Sequence, residues 1–397
     1  MKYEIKKILG SRVLIIALIL AVGFALFESN RNYIQGLDEG RERINSGVYD
    51  AYKGEYSEEK YQNLLEKTNQ LQEEFALLGE KKADNRMLDY MALYEVAENC
   101  RTTQLFLEQV VDEARYLAQT QSGYYKKLNQ KTEQVYKNCR PDLHIDEISS
   151  VQNILLYFEL PEEIDVAFVL VLMIFACTIF LNEHINHTFY MIQSSKKGRG
   201  HTYFCKTGLS LIFACMLSVL QTISITIVPA IRSGMGKLGY PIQMSHNLMY
   251  SPYNLNFWQL VIVLTLLRAI GYMTLVLLFL CVTLFFKKNI VPFAINLFLG
   301  GGGMFLTYMA SGRFYRDARY GVARTFGGFI YLKKYSPFTM ISEGMNYIGK
   351  FEMVNVLGQP VSLLQHVMVI NLIIIAFLTV AGYLAYTQNF RRMGVSM

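Results

Sequence analysis

The strongest pattern along the chain is a series of long apolar runs separated by polar segments. A helix needs about 20 mostly apolar residues to cross the hydrocarbon core of a bilayer. Six runs are long enough, and they predict transmembrane helices at Ile8–Phe27, Ile164–Leu181, Thr207–Ile227, Phe257–Phe286, Ile290–Ala310 and Leu364–Tyr386. Basic residues precede the first run as in a signal peptide, but the bulky neighbours of Ala25 make a poor cleavage site, so we expect an uncleaved anchor.

Residues 28–163, between spans one and two, are too many for a connector and predict a separate domain. Its apolar positions recur three and four residues apart, which predicts helices that pack along one seam each. The four predicted seams are Tyr61, Leu64, Thr68, Leu71, Phe75 and Leu78; Phe106, Val110, Ala114 and Leu117; Tyr125, Leu128, Thr132 and Val135; and Ile148, Val151, Leu155 and Phe158.

The expected fold is therefore all-α, with six transmembrane helices and a small antiparallel helical bundle that stands on two membrane stalks. The predicted parts are residues 1–27, with an amphipathic lead-in and the first span, the bundle at 28–163, and spans two to six at 164–397. Within the last part we expect a loop at 182–206 on one side of the membrane and a long segment at 311–363 on the other.

Charge divides the chain in the same way. Residues 28–163 hold 26 acidic and 16 basic residues, a net charge of −10, while the remainder holds 6 and 22, a net charge of +16, which together give +6. The basic residues lie beside apolar runs, where lysine and arginine contact lipid headgroups, and they are not interleaved with stacking aromatics. This arrangement predicts contact with membrane lipid and none with nucleic acid.

Orientation follows from the lysine and arginine residues near the span ends. With the N-terminus inside, 12 such residues lie on the cytoplasmic side and 9 on the other. The first span, which usually dominates, favours the same orientation. We therefore expect both termini in the cytoplasm and residues 28–163 outside it.

The six cysteines divide in the same way. Cys177, Cys215 and Cys281 lie within apolar runs and Cys205 lies beside one, so they are expected to pack as small hydrophobic residues. Cys100 and Cys139 are the only pair in the acidic block. If that block is extracytoplasmic, a disulfide between them is one alternative and two free thiols the other.

Arg268 is the most unusual residue within the spans. It lies 11 residues after Phe257, or roughly 16 Å along a helix, which predicts a position near the middle of the bilayer. A charge there is costly and turns toward a partner or a cavity. No acidic residue in the other spans is an evident partner, so we expect Arg268 to contact backbone carbonyls or to line a translocation path.

Several other polar or glycine-rich positions in the spans have a structural interpretation. Gln221, Asn296 and Asn371 are expected to form hydrogen bonds between helices, and the Gly300–Gly303 run allows close helix packing or a local break. His184, His187 and His201 share one loop but lack further ligands at a suitable spacing, so no metal site is predicted.

Three segments resemble membrane subunits of type-2 ABC transporters. Tyr3–Arg12 is similar to the amphipathic lead-in of that family. Leu181–His184 and Ser194–Arg199, followed by Lys206, resemble its pattern of a glutamate at the membrane exit, a Ser-Ser and Gly-Arg turn, and a lysine at the start of the next span. Tyr335–Phe338 resembles its late outer loop. The resemblance covers about half of the chain, and residues 28–163 are an insertion relative to it.

This resemblance implies an ATP-driven exporter in a bacterial cell membrane. The loop at 182–206 would be the coupling helix that docks on an ATPase subunit, with the coupling residues Glu183, Ser194, Ser195, Lys196, Gly198, Arg199 and Lys206. The chain has no Gly-x-x-x-x-Gly-Lys-[Ser/Thr] phosphate loop, so ATP and Mg²⁺ are expected on separate ATPase chains and no cofactor on this one. A second permease subunit, identical or related, completes the expected assembly.

The main alternative is a receptor or scaffold whose outer helical domain senses or docks a partner without transport. In neither case is the chain expected to be an enzyme, since apart from Arg268 the spans offer few polar residues that could converge. The substrate is not indicated by the sequence.

Overall fold

A computed structural model describes residues 10–38, 46–78, 85–146, 148–159, 162–185, 198–233, 236–286, 290–319, 333–349 and 351–394. These residues form helices almost throughout, with two antiparallel two-stranded ladders. The all-α fold predicted from the sequence is confirmed.

The element bounds are as follows. The helices are α1 (Arg12–Asp38), α2 (Ser46–Tyr52), α3 (Glu58–Leu78), α4 (Asn85–Thr120), α5 (Gly123–Lys137), α6 (Ser149–Leu155), α7 (Glu163–Ile185), α8 (Gly198–Ser233), α9 (Phe257–Phe285), α10 (Ile290–Arg319), α11 (Pro337–Ser342), α12 (Asn346–Gly349) and α13 (Leu363–Gly394). Strand β1 (Gly54–Glu55) pairs with β2 (His144–Ile145), and β3 (Met353–Val356) with β4 (Gln359–Ser362).

Six of these helices are long and apolar enough to cross a membrane, namely α1, α7, α8, α9, α10 and α13. They coincide with the six predicted spans, so the chain is a multi-pass membrane protein. The predicted boundary after Phe27 lies inside α1, which continues to Asp38. We call the side of the spans that carries residues 46–158 the insert side, and the side where α7 ends and α8 begins the loop side.

Helix α9 lies at the centre of the spans and contacts α7, α8, α10 and α13. Two thirds (67%) of the apolar stretches of α7 and α9 are buried within the chain, compared with 17% for α13 and 28% for α1 and α10. The exposed faces of these outer helices are therefore left for lipid or for another chain.

The inserted domain comprises residues 46–78, 85–146 and 148–158, in which α3, α4 and α5 pack side by side. Glu58 and Glu59 lie in the first turn of α3, where carboxylates favour the positive end of the helix dipole. Tyr61 and Leu64 are buried against α4 and β2, around a core completed by Leu93, Ala97 and Ile145. The seam predicted for α3 is confirmed at these positions and at buried Thr68.

The seam predicted for α5 is wrong at one position. Tyr125 is 62% exposed, whereas Tyr124 is half-buried together with Leu128, Thr132 and Val135. Apolar residues on one face of a helix recur three or four residues apart. Tyr125 lies three residues before Leu128 and Tyr124 lies four before it, so both tyrosines fit the pattern. Only the packing distinguishes them.

The inserted domain is docked on the membrane half, in addition to its two covalent connections. Thr103 on α4 is fully buried at the contact. Its hydroxyl donates to the carbonyl of Asn99 within α4 at 2.8 Å and lies 3.4 Å from the carbonyls of both Gln243 and Met249. Tyr136 on α5 donates a hydrogen bond to the carbonyl of Tyr250 at 3.1 Å. Residues 236–256, which connect α8 to α9, are thus the platform on which the domain rests.

Cys100 and Cys139 are both free thiols in the structure, and both are buried. The sulfur of Cys100 donates to the carbonyl of His144, and that of Cys139 to the carbonyl of Ser251. Burial raises the pKa of Cys100 to about 12 and that of Cys139 to about 11. Of the two alternatives, the structure therefore contains the free thiols, which remain protonated at neutral pH.

The Gly300–Gly303 run lies within continuous α10, so it serves close packing and not a break. A methyl group added at Gly300 would lie 3.1 Å from the ring of Phe279, and one at Gly303 would overlap the ring of Phe338. A methyl group at Gly301 or Gly302 would meet nothing within 4 Å. Gly300 and Gly303 therefore leave space for the aromatic rings that pack against α10.

Replacing Gly303 by alanine should lower the free energy of unfolding by about 1–3 kcal/mol, because the added methyl group overpacks against Phe338. Gly302→Ala is the matched control and should leave stability unchanged or slightly higher, since alanine favours the helix. Thermal unfolding of the purified variants in detergent measures both. A further Phe338→Leu change should restore part of the loss, and equal unfolding temperatures for the two alanine variants would contradict the packing role.

Candidate functional site

On the loop side, the ends of α7 and α8 frame the predicted coupling loop. Glu183 lies in the last turn of α7, and Gly198 and Arg199 lie in the first turn of α8. The predicted coupling residues Ser194, Ser195 and Lys196 lie outside the described residues. The loop therefore starts at the end of α7 and finishes at the start of α8.

Lys206 connects these two helices. Its side chain is fully buried, its Nζ donates to the carbonyl of Ile179 on α7 at 2.7 Å, and it lies 4.7 Å from the centre of the Phe180 ring. Lys206 was expected among the coupling residues, and in the structure its side chain joins α8 to α7.

Helix α13 is held to the same place by aromatic side chains. The rings of Tyr203 on α8, Phe180 on α7 and Tyr386 on α13 form a triangle. The centroid of Tyr203 lies 6.4 Å from that of Phe180 and 5.7 Å from that of Tyr386, and the last two are 5.9 Å apart. Its hydroxyl donates to the carbonyl of Thr379 at 2.7 Å, and a methyl group at Gly382 would lie only 2.5 Å from that hydroxyl oxygen. The base of the loop is therefore a rigid junction of three spans.

On the insert side, Arg268 is fully buried and binds two backbone carbonyls. Its Nε donates to the carbonyl of Ile341 at 2.8 Å and its Nη2 to that of Tyr157 at 3.0 Å. The guanidinium lies 4.3 Å from the centre of the Phe158 ring. Contact with carbonyls, one of the two expected alternatives, is confirmed.

Arg268 also has an acidic partner, which corrects the expectation that the spans offer none. Asp165 on α7 lies 3.7 Å from Nη2 and is itself buried. Its carboxylate accepts the backbone N–H of Glu162 at 3.2 Å, which caps the start of α7, and the amide of Gln221 at 2.7 Å. Tyr272 in turn donates to Gln221 at 2.5 Å, so one polar network joins α7, α8 and α9.

The same contacts show which part of α7 the Arg268 side chain meets. Asp165 is the third residue of α7, and Tyr157 precedes that helix. The guanidinium of Arg268, 11 residues after the start of α9, therefore lies beside the first turn of α7. Protein also covers the turn of α9 before Arg268. Leu264 in that turn packs against Gly344, so closely that a methyl group added at Gly344 would lie 3.1 Å from the Leu264 side chain.

Other polar residues in the spans behave as predicted. Besides Gln221, Asn296 donates to the carbonyl of Phe279 at 3.2 Å, and Thr274 lies 3.4 Å from the side-chain oxygen of Asn371. These contacts cross between helices. Among the described residues, no group of three or more histidine, cysteine, aspartate or glutamate side chains is placed to hold a metal ion.

Sequence reasoning missed Asp165 although it lies within the predicted second span. The available signal was a carboxylate in the first turn of an otherwise apolar helix, where it suits both a cap and a buried cation. The packing of the helices alone decides which of the other spans Asp165 faces.

Comparison of the chain with models of protein families, with curated proteins and with solved structures found no match. The likeness to type-2 ABC permeases therefore depends on the quoted sequence segments.

Glu162, just before α7, is an acidic group with an altered proton affinity. Burial raises its pKa to about 7, and the carboxylates of Asp165, Glu163 and Glu28 act in the same direction, whereas Arg31 opposes them. Because the folded-state pKa exceeds the ordinary value, the folded chain binds a proton that the unfolded chain releases at lower pH. The stability contributed by this group is present below about pH 4.5 and is lost as pH rises through 7.

Glu162→Gln should therefore flatten the decline in unfolding temperature between pH 5 and pH 7 and should gain stability over the parent at pH 8. Thermal unfolding of the purified chain at a series of pH values measures this. Glu163→Gln, at the neighbouring exposed position, is the control and should keep most of the decline. An unaltered pH profile in the Glu162 variant would show that this carboxyl does not titrate as described.

Proposed function

We propose that this chain is the membrane subunit of an ATP-driven exporter of the type-2 ABC class. The observation that carries the proposal is the junction at the base of the 182–206 loop, where Lys206 ties α8 to α7 and Tyr203 ties α8 to α13. A loop on a rigid base transmits a push to the spans, because displacement of its ends moves all three helices together.

In this proposal the loop side is cytoplasmic, and both termini lie there with it. The inserted domain then lies outside the cytoplasm of a bacterial cell. Glu183 and Arg199, at the two ends of the loop, contact an ATPase subunit together with Ser194, Ser195, Lys196 and Gly198. Two ATPase chains bind ATP and Mg²⁺, a second permease subunit pairs with this one, and this chain performs no chemistry itself.

Segment 333–349 contributes to the exit gate in the same proposal. It packs on the insert-side half of the spans, with Ile341 against Gly271 of α9 and Phe338 against Gly303 of α10. Both contacts depend on the absence of a side chain, so small rotations of α9 or α10 displace this segment. Coupled rotation of the two helices is therefore a route from the loop side to the exit.

The proposal is tested by isolating the chain from native membranes in mild detergent and assaying the recovered material for Mg²⁺-dependent ATP hydrolysis. Glu183→Ala and Arg199→Ala should each reduce the recovered ATPase activity about tenfold while leaving the amount of this chain unchanged, equivalent to about 1.4 kcal/mol of binding. Arg115→Ala, on the exposed surface of α4, is the matched control and should have no effect.

Failure to recover any ATPase with the parent chain would contradict the transporter proposal. Unchanged recovery with Glu183→Ala alone would remove that residue from the interface and leave the proposal standing on Arg199.

The second candidate is a receptor or scaffold, favoured by the docking of the inserted domain on residues 236–256. Thr103 is buried at that contact, so a partner that moves α4 also moves the platform between α8 and α9. Co-purification of a partner through the inserted domain, with no ATPase, would support this candidate.

A further inference from the structure

Two separate elements of the insert side end at the same guanidinium group. Tyr157 belongs to the short turn of 3-10 helix at Leu156–Phe158, through which the chain leaves the inserted domain. Ile341 belongs to the last turn of α11. Carbonyls at the ends of helical segments lack partners within the segment, and a cation is a favourable partner for them.

The two elements also contact each other. The carbonyl of Phe158 accepts the backbone N–H of Met345 at 3.1 Å, immediately beside the carbonyl that Arg268 binds. The exit of the inserted domain, segment 333–349 and α9 therefore meet at one point. None of these three elements is adjacent to another in the sequence.

Asp165 holds the guanidinium in this position and is itself held by two further contacts, to Glu162 and Gln221. Arg268 is less completely satisfied, because its Nη1 is buried without a hydrogen-bond partner among the described residues. A buried donor that lacks a partner costs free energy, and it recovers that cost when water reaches it. Hydration of Nη1 on opening therefore offsets part of the cost of releasing the two carbonyls.

We propose that Arg268 and Asp165 form a releasable clamp that fastens the exit of the inserted domain and segment 333–349 to α9 as one unit. Arg268 binds the two carbonyls and Asp165 positions Arg268. When the clamp opens, segment 333–349 lifts from α9 while the contact of the inserted domain with residues 236–256 stays in place. The clamp is a property of this chain alone and does not depend on the proposed transport.

The test measures thiol accessibility at Ser342, which is fully buried next to Ile341 and differs from cysteine by one atom. The Ser342→Cys chain is purified in detergent, and its reaction with a bulky maleimide is compared with that of the same chain carrying Ser342. Thr103→Cys, fully buried at the docking contact, is the matched control. The clamp is removed by the paired change Arg268→Gln and Asp165→Asn.

The paired change should raise the labelling rate of the thiol introduced by Ser342→Cys at least tenfold. It should leave the thiol introduced by Thr103→Cys protected and keep the unfolding temperature close to that of the parent. Replacing both charges avoids an unpaired buried ion, so the fold is retained while the two carbonyls are released. Asp165→Asn alone should lower the unfolding temperature, since it leaves the Arg268 charge buried without its counter-ion.

Arg268→Lys with Asp165 intact provides a rescue, since the ammonium group keeps the charge and part of the hydrogen bonding. It should restore partial protection of the thiol at position 342. Equal protection of this thiol with and without the paired change would overturn the clamp. Equal exposure of the thiols at positions 103 and 342 after the paired change would also overturn it, because the pair would then support the whole insert side instead of one segment.

Discussion

Three elements of the insert side meet at one buried guanidinium, that of Arg268. Removing the charge of Arg268 from water costs free energy. A carboxylate, two backbone carbonyls and the face of an aromatic ring offset that desolvation energy. These partners lie in three elements, because the Tyr157 carbonyl and the Phe158 ring share one turn. Satisfying this one charge therefore brings α7, the exit of the inserted domain and α11 together against α9. A hydrophobic side chain at the same position would not select among these elements.

A buried cation on the loop side has a corresponding role. Lys206 also binds a backbone carbonyl and also lies near an aromatic ring, that of Phe180. Asp165 and Ile179 lie near opposite ends of α7, so this helix is attached to α9 at one end and to α8 at the other. A helix attached at both ends moves as a rigid body with its neighbours, which is the mechanical property that the proposed coupling requires.

The inserted domain is attached to the spans by polar contacts as well as by apolar packing. The phenol of Tyr136 donates to the carbonyl of Tyr250 in the platform at residues 236–256, and the side-chain amide of Asn254 in that platform donates to the carbonyl of Asn138. Such groups must be satisfied when they are buried, so their geometry fixes the register of the domain on the membrane half. Movement of the domain is consequently linked to the connection between α8 and α9.

The sequence by itself determined the elements: six spans, a helical insertion and the seam of α3, because apolar periodicity and span length follow from local chemistry. It also identified Arg268 as a charge in need of a partner. It did not determine that partner, the choice between Tyr124 and Tyr125, or the state of Cys100 and Cys139. Each of these depends on which faces of distant helices meet, and only the tertiary structure decides this.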